Sequence, residues 1–328
     1  MAVVQEPAAP PRRAVRVRLD PWAPEYDGAL GLAEGEAPAA RVELDVEPGG
    51  WRALPPAAGP VRSLAFVDGV RRIEHRLHVE SAGASFHGLL GSFAVGAVAV
   101  AERARIVEAR VRRLACVGGG LRLDPLEIRV GRTRLLFEPE PVPENAPLSP
   151  LQGLQTAMRR AEAALGQALE ADLVVLDGPL AYAEAAVGPL VGCVKRLQQR
   201  YLPPEREDLL PRLSIGERSP LFLILDPSGR HARYSCYVRL GRGRPIESAL
   251  AGLARLELPG APGLAAARRA ADVAAAHLPR FASDAPRDPR APQNLYPVGG
   301  LESELRRRLG DALVIRRAIE ALLMREVA

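Results

Sequence analysis

Two short runs of the chain carry the same punctuation, Phe66-Val67-Asp68-Gly69 and, far downstream, Val175-Leu176-Asp177-Gly178. An Asp-Gly step alone is commonly a turn. Two of them, each following apolar strand-like residues, set two carboxylates side by side if the runs are neighbouring strands. Glu162 is a third candidate: on a helical wheel it falls in line with Met158, Leu165 and Leu169, on or beside a face that packs on a sheet. From Glu162 to Leu169 a helix rises about 10 Å, and from Asp172 to Asp177 a strand returns about 15 Å. Antiparallel elements of those lengths bring Glu162 near the level of Asp177. The plainer alternative for Glu162 is an acid at the edge of the face, paired with Arg159 or a neighbouring Arg. Three hard oxygen ligands with no Cys and no obligatory His suit Mg²⁺ or Mn²⁺ better than zinc. One or two such ions, sharing carboxylates and a substrate phosphate, acidify a water and stabilise the leaving oxygen of an in-line displacement. That is the chemistry of phosphodiester hydrolysis.

The elements that must position these acids are legible in outline. Residues 1–60 are rich in Pro, Gly and Ala and read as an irregular segment with short strands near 14–19 and 41–46. Runs of β character follow at 61–80, 85–101, 103–117, 121–129 and 132–138, separated by Gly-containing turns, and predict an antiparallel meander. After a Pro-rich connector at 139–149, Leu151, Leu154, Met158, Ala161, Leu165 and Leu169 recur at helical spacing and predict a helix over 150–170. Short apolar runs at 173–176 and 221–225 flank a helical pattern through Val187, Leu190, Val191, Val194 and Leu197. Strands alternating with helices in this way imply parallel strands with crossovers. A hairpin at 231–240, the loop Gly241-Arg242-Gly243-Arg244-Pro245, a segment ending at 254–258, an Ala/Arg helix at 262–277, a Pro/Asp/Arg loop at 279–293 and helices near 300–309 and 312–326 complete the chain. The expected class is α/β: a mixed sheet of three antiparallel strands, then two helix-linked parallel strands, with extra hairpins and C-terminal helices. Ribonuclease H-like nucleases and integrases use this order, with acidic residues on their adjacent first and fourth strands. The corresponding division is an opening segment, 1–60, and a nuclease-type domain, 61–328, with its core at 61–226 and an elaboration at 227–328.

Composition narrows the alternatives. The chain has 328 residues, 48% hydrophobic and 25% charged, a globular balance that excludes a mostly disordered chain or a fibre. No apolar run is long enough to cross a bilayer, and no secretory signal is visible, so a cytosolic protein with no membrane role is expected. Cys116, Cys193 and Cys236 lie far apart and form no CxxC pair, which argues against a zinc knuckle or a disulfide framework. The five histidines show no ligand spacing on a helix, no GxxxxGK[ST] loop exists, and no serine sits in a GxSxG context. A net charge of +5 permits a polyanionic partner. Of the 44 basic residues, 43 are Arg and one is Lys195. In so strong a bias, a retained Lys marks either chance or a site that needs a compact point charge. Arg71, Arg159, Arg242 and Arg244 are candidate phosphate contacts; Arg242 and Arg244 stand out because flanking glycines can bring backbone N–H groups and guanidinium forks to one strand. Aromatics are only 4% of residues, so an aromatic stacking platform is not indicated.

These pieces together resemble the NurA nucleases. The resemblance rests on Phe66-Val67-Asp68-Gly69, Leu176-Asp177-Gly178-Pro179-Leu180, Val191-Gly192-Cys193-Val194-Lys195, the 234–240 strand with Ala254-Arg255-Leu256-Glu257-Leu258, and Tyr296-Pro297, in order over about residues 60–300. It implies a ribonuclease H-like core, Mn²⁺-dependent exonuclease and endonuclease activity on DNA, a homodimer, and a hexameric HerA-type ATPase that feeds DNA to it. Carried over by motif, Asp68, Glu162 and Asp177 are metal ligands, Lys195 holds a phosphate, and Tyr296 belongs to the active site. Two departures stand out. The common Asp-Gly-Ser is Asp68-Gly69-Val70 here, and where the pattern ends in a His after Tyr-Pro this chain offers Glu302 and Glu304. Glu304 is either a substitute for that imidazole or a solvated helix residue. The competing expectations are a non-catalytic DNA clamp on the same fold, or a related enzyme acting on RNA or branched DNA.

Overall fold

The computed structural model describes residues 15–19, 40–57, 59–180, 182–183, 188–197, 201–226, 232–284, 286, 288 and 290–327. Two short strands, β1 (Val15–Leu19) and β2 (Arg41–Glu43), precede three long ones, β3 (Leu64–Ser81), β4 (Ala84–Val100) and β5 (Ala104–Val117). The hairpin β6 (Leu126–Val130) and β7 (Thr133–Pro141) leads to helix α1 (Ser149–Ala168), strands β8 (Leu173–Asp177) and β9 (Leu190–Val194), and the short α2 (Pro204–Glu207). Strands β10 (Phe222–Leu225), β11 (Ala232–Arg239) and β12 (Leu253–Pro259) follow, then helices α3 (Leu264–His277), α4 (Tyr296–Arg308) and α5 (Ala312–Val327). The strands form one mixed sheet in the order β2-β10-β11-β12-β9-β8-β3-β4-β5-β7-β6, with β1 alongside β3.

β3, β4 and β5 form the expected antiparallel meander, but it does not continue: β7 pairs in parallel with β5, and β6 lies outside it, antiparallel to β7. β3 and β8 lie side by side and parallel, with Phe66 opposite Val175 and Val67 opposite Leu176. Side chains alternate across a strand, and the two faces are covered by different helices. Phe66, Val70 and Val175 pack into one cluster with Ala271 and Ala274 of α3 and Val298, Leu301 and Leu305 of α4. Val67, Val174 and Leu176 pack on the opposite face with Ala163 and Leu165 of α1. Pro150 lies in the first turn of α1, where its missing N–H costs nothing, and the buried stripe Leu151, Leu154, Met158, Leu165 is the predicted one.

Two further elements differ from expectation. Residues 190–194 are a strand, not part of a helix. All five are buried, and a short, wholly apolar run has no period by which helix and strand can be told apart. β9 follows β8 in parallel, with no helix between them among the described residues; Val187 lies outside those residues. β10 does not extend a parallel series either. It pairs antiparallel with β11 and β2, and the stretch expected to be a hairpin is the single strand β11, bonded to β10 on one side and β12 on the other. Apolar content marks a buried strand but not its direction, which pairing with distant strands decides. Residues 227–231 between β10 and β11 lie outside the described residues, as does most of the opening segment. Among the described residues, no helix is long and apolar enough to cross a membrane.

Candidate metal centre

Strand register builds the site. Val67 sits opposite Leu176, so the next residues along these parallel strands, Asp68 and Asp177, are neighbours. By alternation both share the face of Phe66 and Val175, the face covered by α3 and α4. Directly across β4 from Asp68 is Gly96. A Cβ there would lie 2.9 Å from Leu305 and 3.1 Å from Leu301, so the missing side chain lets α4 settle against the sheet. α4 thereby brings Glu302 to the two aspartates: one carboxylate oxygen from each of Asp68, Asp177 and Glu302 lies within 4.8 Å of the others.

Asp68 and Glu302 are buried and Asp177 half-buried. Desolvation, then the charges of Asp177, Glu162 and Glu302, push Asp68 well above the ordinary carboxylate range. Asp68 has no ion-pair partner among the described residues, whereas its two neighbours are anchored. The Lys195 ammonium lies 2.5 Å from Asp177 Oδ1 and donates to Asn294 Oδ1 at 3.1 Å. Asp177 is opposite Cys193 on β9, so Lys195 extends the same face one pleat further. Arg290 grips both oxygens of Glu302, at 3.0 and 3.3 Å, and Arg306 donates to Oε2 at 3.1 Å. Asn294 in turn donates to Asp288, which accepts from the Arg290 backbone and side chain. A cleft of about 350 Å³, whose lining includes Asp177, Lys195, Arg196, Arg290 and Asn294, opens beside the acids.

Glu162 stands on the other side of the sheet. Gly69 points away from Asp68, toward α1, and a Cβ on it would come within 2.4 Å of Glu162 Oε1. The second residue of the Asp-Gly pair is therefore a window through which a helix carboxylate approaches the strand, in mid-strand and not in a turn. Glu162 is 4% exposed. Its Oε2 accepts from Arg159 at 2.9 Å, while Oε1 has no hydrogen-bond partner among the described residues. Burial, offset in part by Arg159, raises its pKa. The structure matches the plainer sequence reading, an acid paired with Arg159, and not the expected metal ligand: Glu162 is not among the three acids whose oxygens converge, because α1 packs on the opposite face of the sheet, although its charge still acts on Asp68. At the second Asp-Gly the glycine has φ of 120° and ends the strand, and the Arg159 guanidinium donates to the Asp177 carbonyl at 2.8 Å.

The remaining predicted residues are dispersed. Tyr296 opens α4 half-exposed, its hydroxyl donating to Asp284 Oδ2 at 2.8 Å and accepting the Asp284 N–H, turned to that loop and not to the three acids. Arg71 donates to Gln155 Oε1 at 2.5 Å on the α1 side. Arg242 and Arg244 are exposed on the loop after β11, with Arg244 held by Glu247 at 2.6 Å. Glu304 is bound by Arg307 and Arg308, which hold its carboxyl down at about 2. Glu302 joins the site and Glu304 does not. The signal was available: Glu302 follows Val298 by four residues on the buried stripe of α4, and Glu304 follows by six.

Residues 64–298 match the NurA domain. The chain belongs to the NurA family. This is a family of nucleases, hence of hydrolases, and the match begins at the first residue of β3 and takes in Asp68, Glu162, Asp177, Lys195 and Tyr296. It ends within the first turn of α4, before Glu302, so the acid that completes the triad lies beyond the matched NurA region. No curated protein matches the chain.

Proposed function

We propose that this NurA-family protein is a metal-dependent deoxyribonuclease that hydrolyses phosphodiester bonds during DNA end processing. The convergence of Asp68, Asp177 and Glu302 on one point beside a cation-rimmed cleft carries this reading. The donor set fits a divalent ion: hard oxygens only, mutually repelling, with no cation paired to Asp68 among the described residues. Asp68, Asp177 and Glu302 would hold Mn²⁺ or Mg²⁺. When bound, such an ion acidifies the attacking water and offsets charge on the departing sugar oxygen. The chain's own groups do the positioning. Lys195, held between Asp177 and Asn294, presents an ammonium to a substrate phosphate in the cleft. Arg290 fixes the Glu302 carboxylate and lines the same cleft. Glu162 and Arg159 buttress the Asp177 turn from behind. The ribonuclease H-like description of the core is consistent with the parallel β3–β8 pair carrying Asp68 and Asp177. A homodimer, a hexameric HerA-type ATPase as partner and a cytoplasmic location complete the proposal on the strength of family membership.

One observation favours the alternative of a non-catalytic DNA clamp: Glu302 is already neutralised by Arg290 and Arg306. Degradation of end-labelled linear DNA with Mn²⁺, Mg²⁺ or EDTA separates the two. Metal-dependent cleavage lost in both Asp68→Asn and Asp177→Asn is the expected result. DNA binding by a folded wild type that is inactive under every condition, including with a cognate ATPase, would establish the clamp.

A further inference from the structure

A second cleft, of about 300 Å³, opens on the other side of the segment that walls the metal centre. Ala291 and Pro292 line this cleft, while Arg290, Gln293 and Asn294 line the first, so one turn of chain separates them. The Ser283 N–H bonds to the Asn294 carbonyl at 2.8 Å and ties the far wall to the near one. Ile215, Pro279 and Pro292 give the second cleft rigid apolar sides, and Ile215 is 49% exposed. Its polar groups are of three kinds. Arg244 and Glu247 neutralise each other, and Asp284 is engaged by the Tyr296 hydroxyl. That leaves the Arg242 guanidinium, exposed and with no partner among the described residues. The same cleft is lined by Ser283, 4% exposed, whose Oγ has no hydrogen-bond partner among the described residues. A buried hydroxyl left unpaired in the same cleft as an uncommitted cation awaits an acceptor, because desolvating such a group without a partner is costly.

We propose that this cleft is a nucleotide subsite for the strand whose scissile phosphate lies at Asp68, Asp177 and Glu302. It takes one nucleotide unit remote from the cut, with the base against the proline and isoleucine walls and the phosphate on Arg242 and Ser283. The assignment rests on the nuclease reading and extends it: the substrate is a polynucleotide long enough to cross the 290–294 wall, and a small diester fills only the first cleft. It also accounts for Tyr296, which supports the second cleft through Asp284 and stands apart from the acids.

The test compares two substrates with Mn²⁺: a 20-nucleotide single-stranded DNA, and bis(p-nitrophenyl) phosphate, which fits the metal centre alone. In Arg242→Ala, the ratio of kcat/KM for the oligonucleotide to that for the small diester falls about tenfold, the size of one lost charge-assisted contact. The slope of log Kd against log salt for oligonucleotide binding becomes shallower by about 0.7. Arg132→Ala, an equal charge loss in the turn between β6 and β7 at the opposite edge of the sheet, leaves the ratio within twofold. An unchanged ratio in Arg242→Ala, or an equal drop in Arg132→Ala, overturns the subsite. If wild type cleaves neither substrate, the nuclease reading fails separately, and fluorescence anisotropy with the labelled oligonucleotide decides the subsite. Weakened binding in Arg242→Ala then upholds it, and unchanged binding removes it.

Discussion

Replacing Asp68 with Asn should make the metal-free protein more stable while abolishing its activity. Asp68 sits with its carboxylate oxygen within 4.8 Å of oxygens of both Asp177 and Glu302, buried and without an ion-pair partner among the described residues. Two unit charges at that distance repel by about 3 kcal/mol at an effective dielectric of 20. Lys195, Arg290 and Arg306 neutralise part of the field from the two neighbours, so the net strain relieved is about 1–2 kcal/mol. The pH dependence has a definite sign. The folded-state pKa of Asp68 is raised above its ordinary 3.8. The native protein therefore holds a proton that the unfolded chain has released, and stability present at low pH is lost as pH rises from about 4 through the raised value. Urea unfolding in EDTA from pH 4 to 8 should show wild type losing stability across that range, and Asp68→Asn, isosteric and uncharged, losing less. Adding Mn²⁺ to about a hundred times its Kd should return about 2.7 kcal/mol to wild type and little to the variant. A variant less stable than wild type in EDTA at pH 8, or one with an undiminished pH slope, would refute the argument that burial and like-charge repulsion together strain the Asp68 carboxylate.

Glu302→Gln should weaken Mn²⁺ binding, measured by calorimetric titration, at least tenfold, while Glu304→Gln leaves it within twofold, because only the former carboxylate reaches the aspartates. The reverse order would reassign the third ligand. Gly69→Ala should cost about 1–3 kcal/mol in urea unfolding, since its Cβ would meet Glu162 Oε1 at 2.4 Å and Met158 at 3.0 Å. Combining it with Glu162→Ala should recover most of that loss, and failure to do so would mean that the glycine is needed for the strand backbone itself.

What the amino-acid sequence by itself determined was local and periodic. The long strands of the meander, the amphipathic α1 and the pairing of two Asp-Gly steps were all legible, because strand alternation and helical spacing are properties of neighbouring residues. The adjacency of Asp68 and Asp177 followed from the order of elements. Tertiary structure decided which acids share a face. Consecutive residues Asp68 and Gly69 must point to opposite sides of the sheet, but only packing assigns α1 to one side and α4 to the other. That assignment sets Glu162 behind Gly69 and places Glu302 over Asp68, through the gap left by Gly96. Long-range pairing likewise made 190–194 a strand, where an apolar run alone carries no period, and so delivered Lys195 to Asp177. The chemistry resides in residue types written along the chain; the meeting of the acids depends on contacts between segments far apart in sequence, which no local pattern encodes.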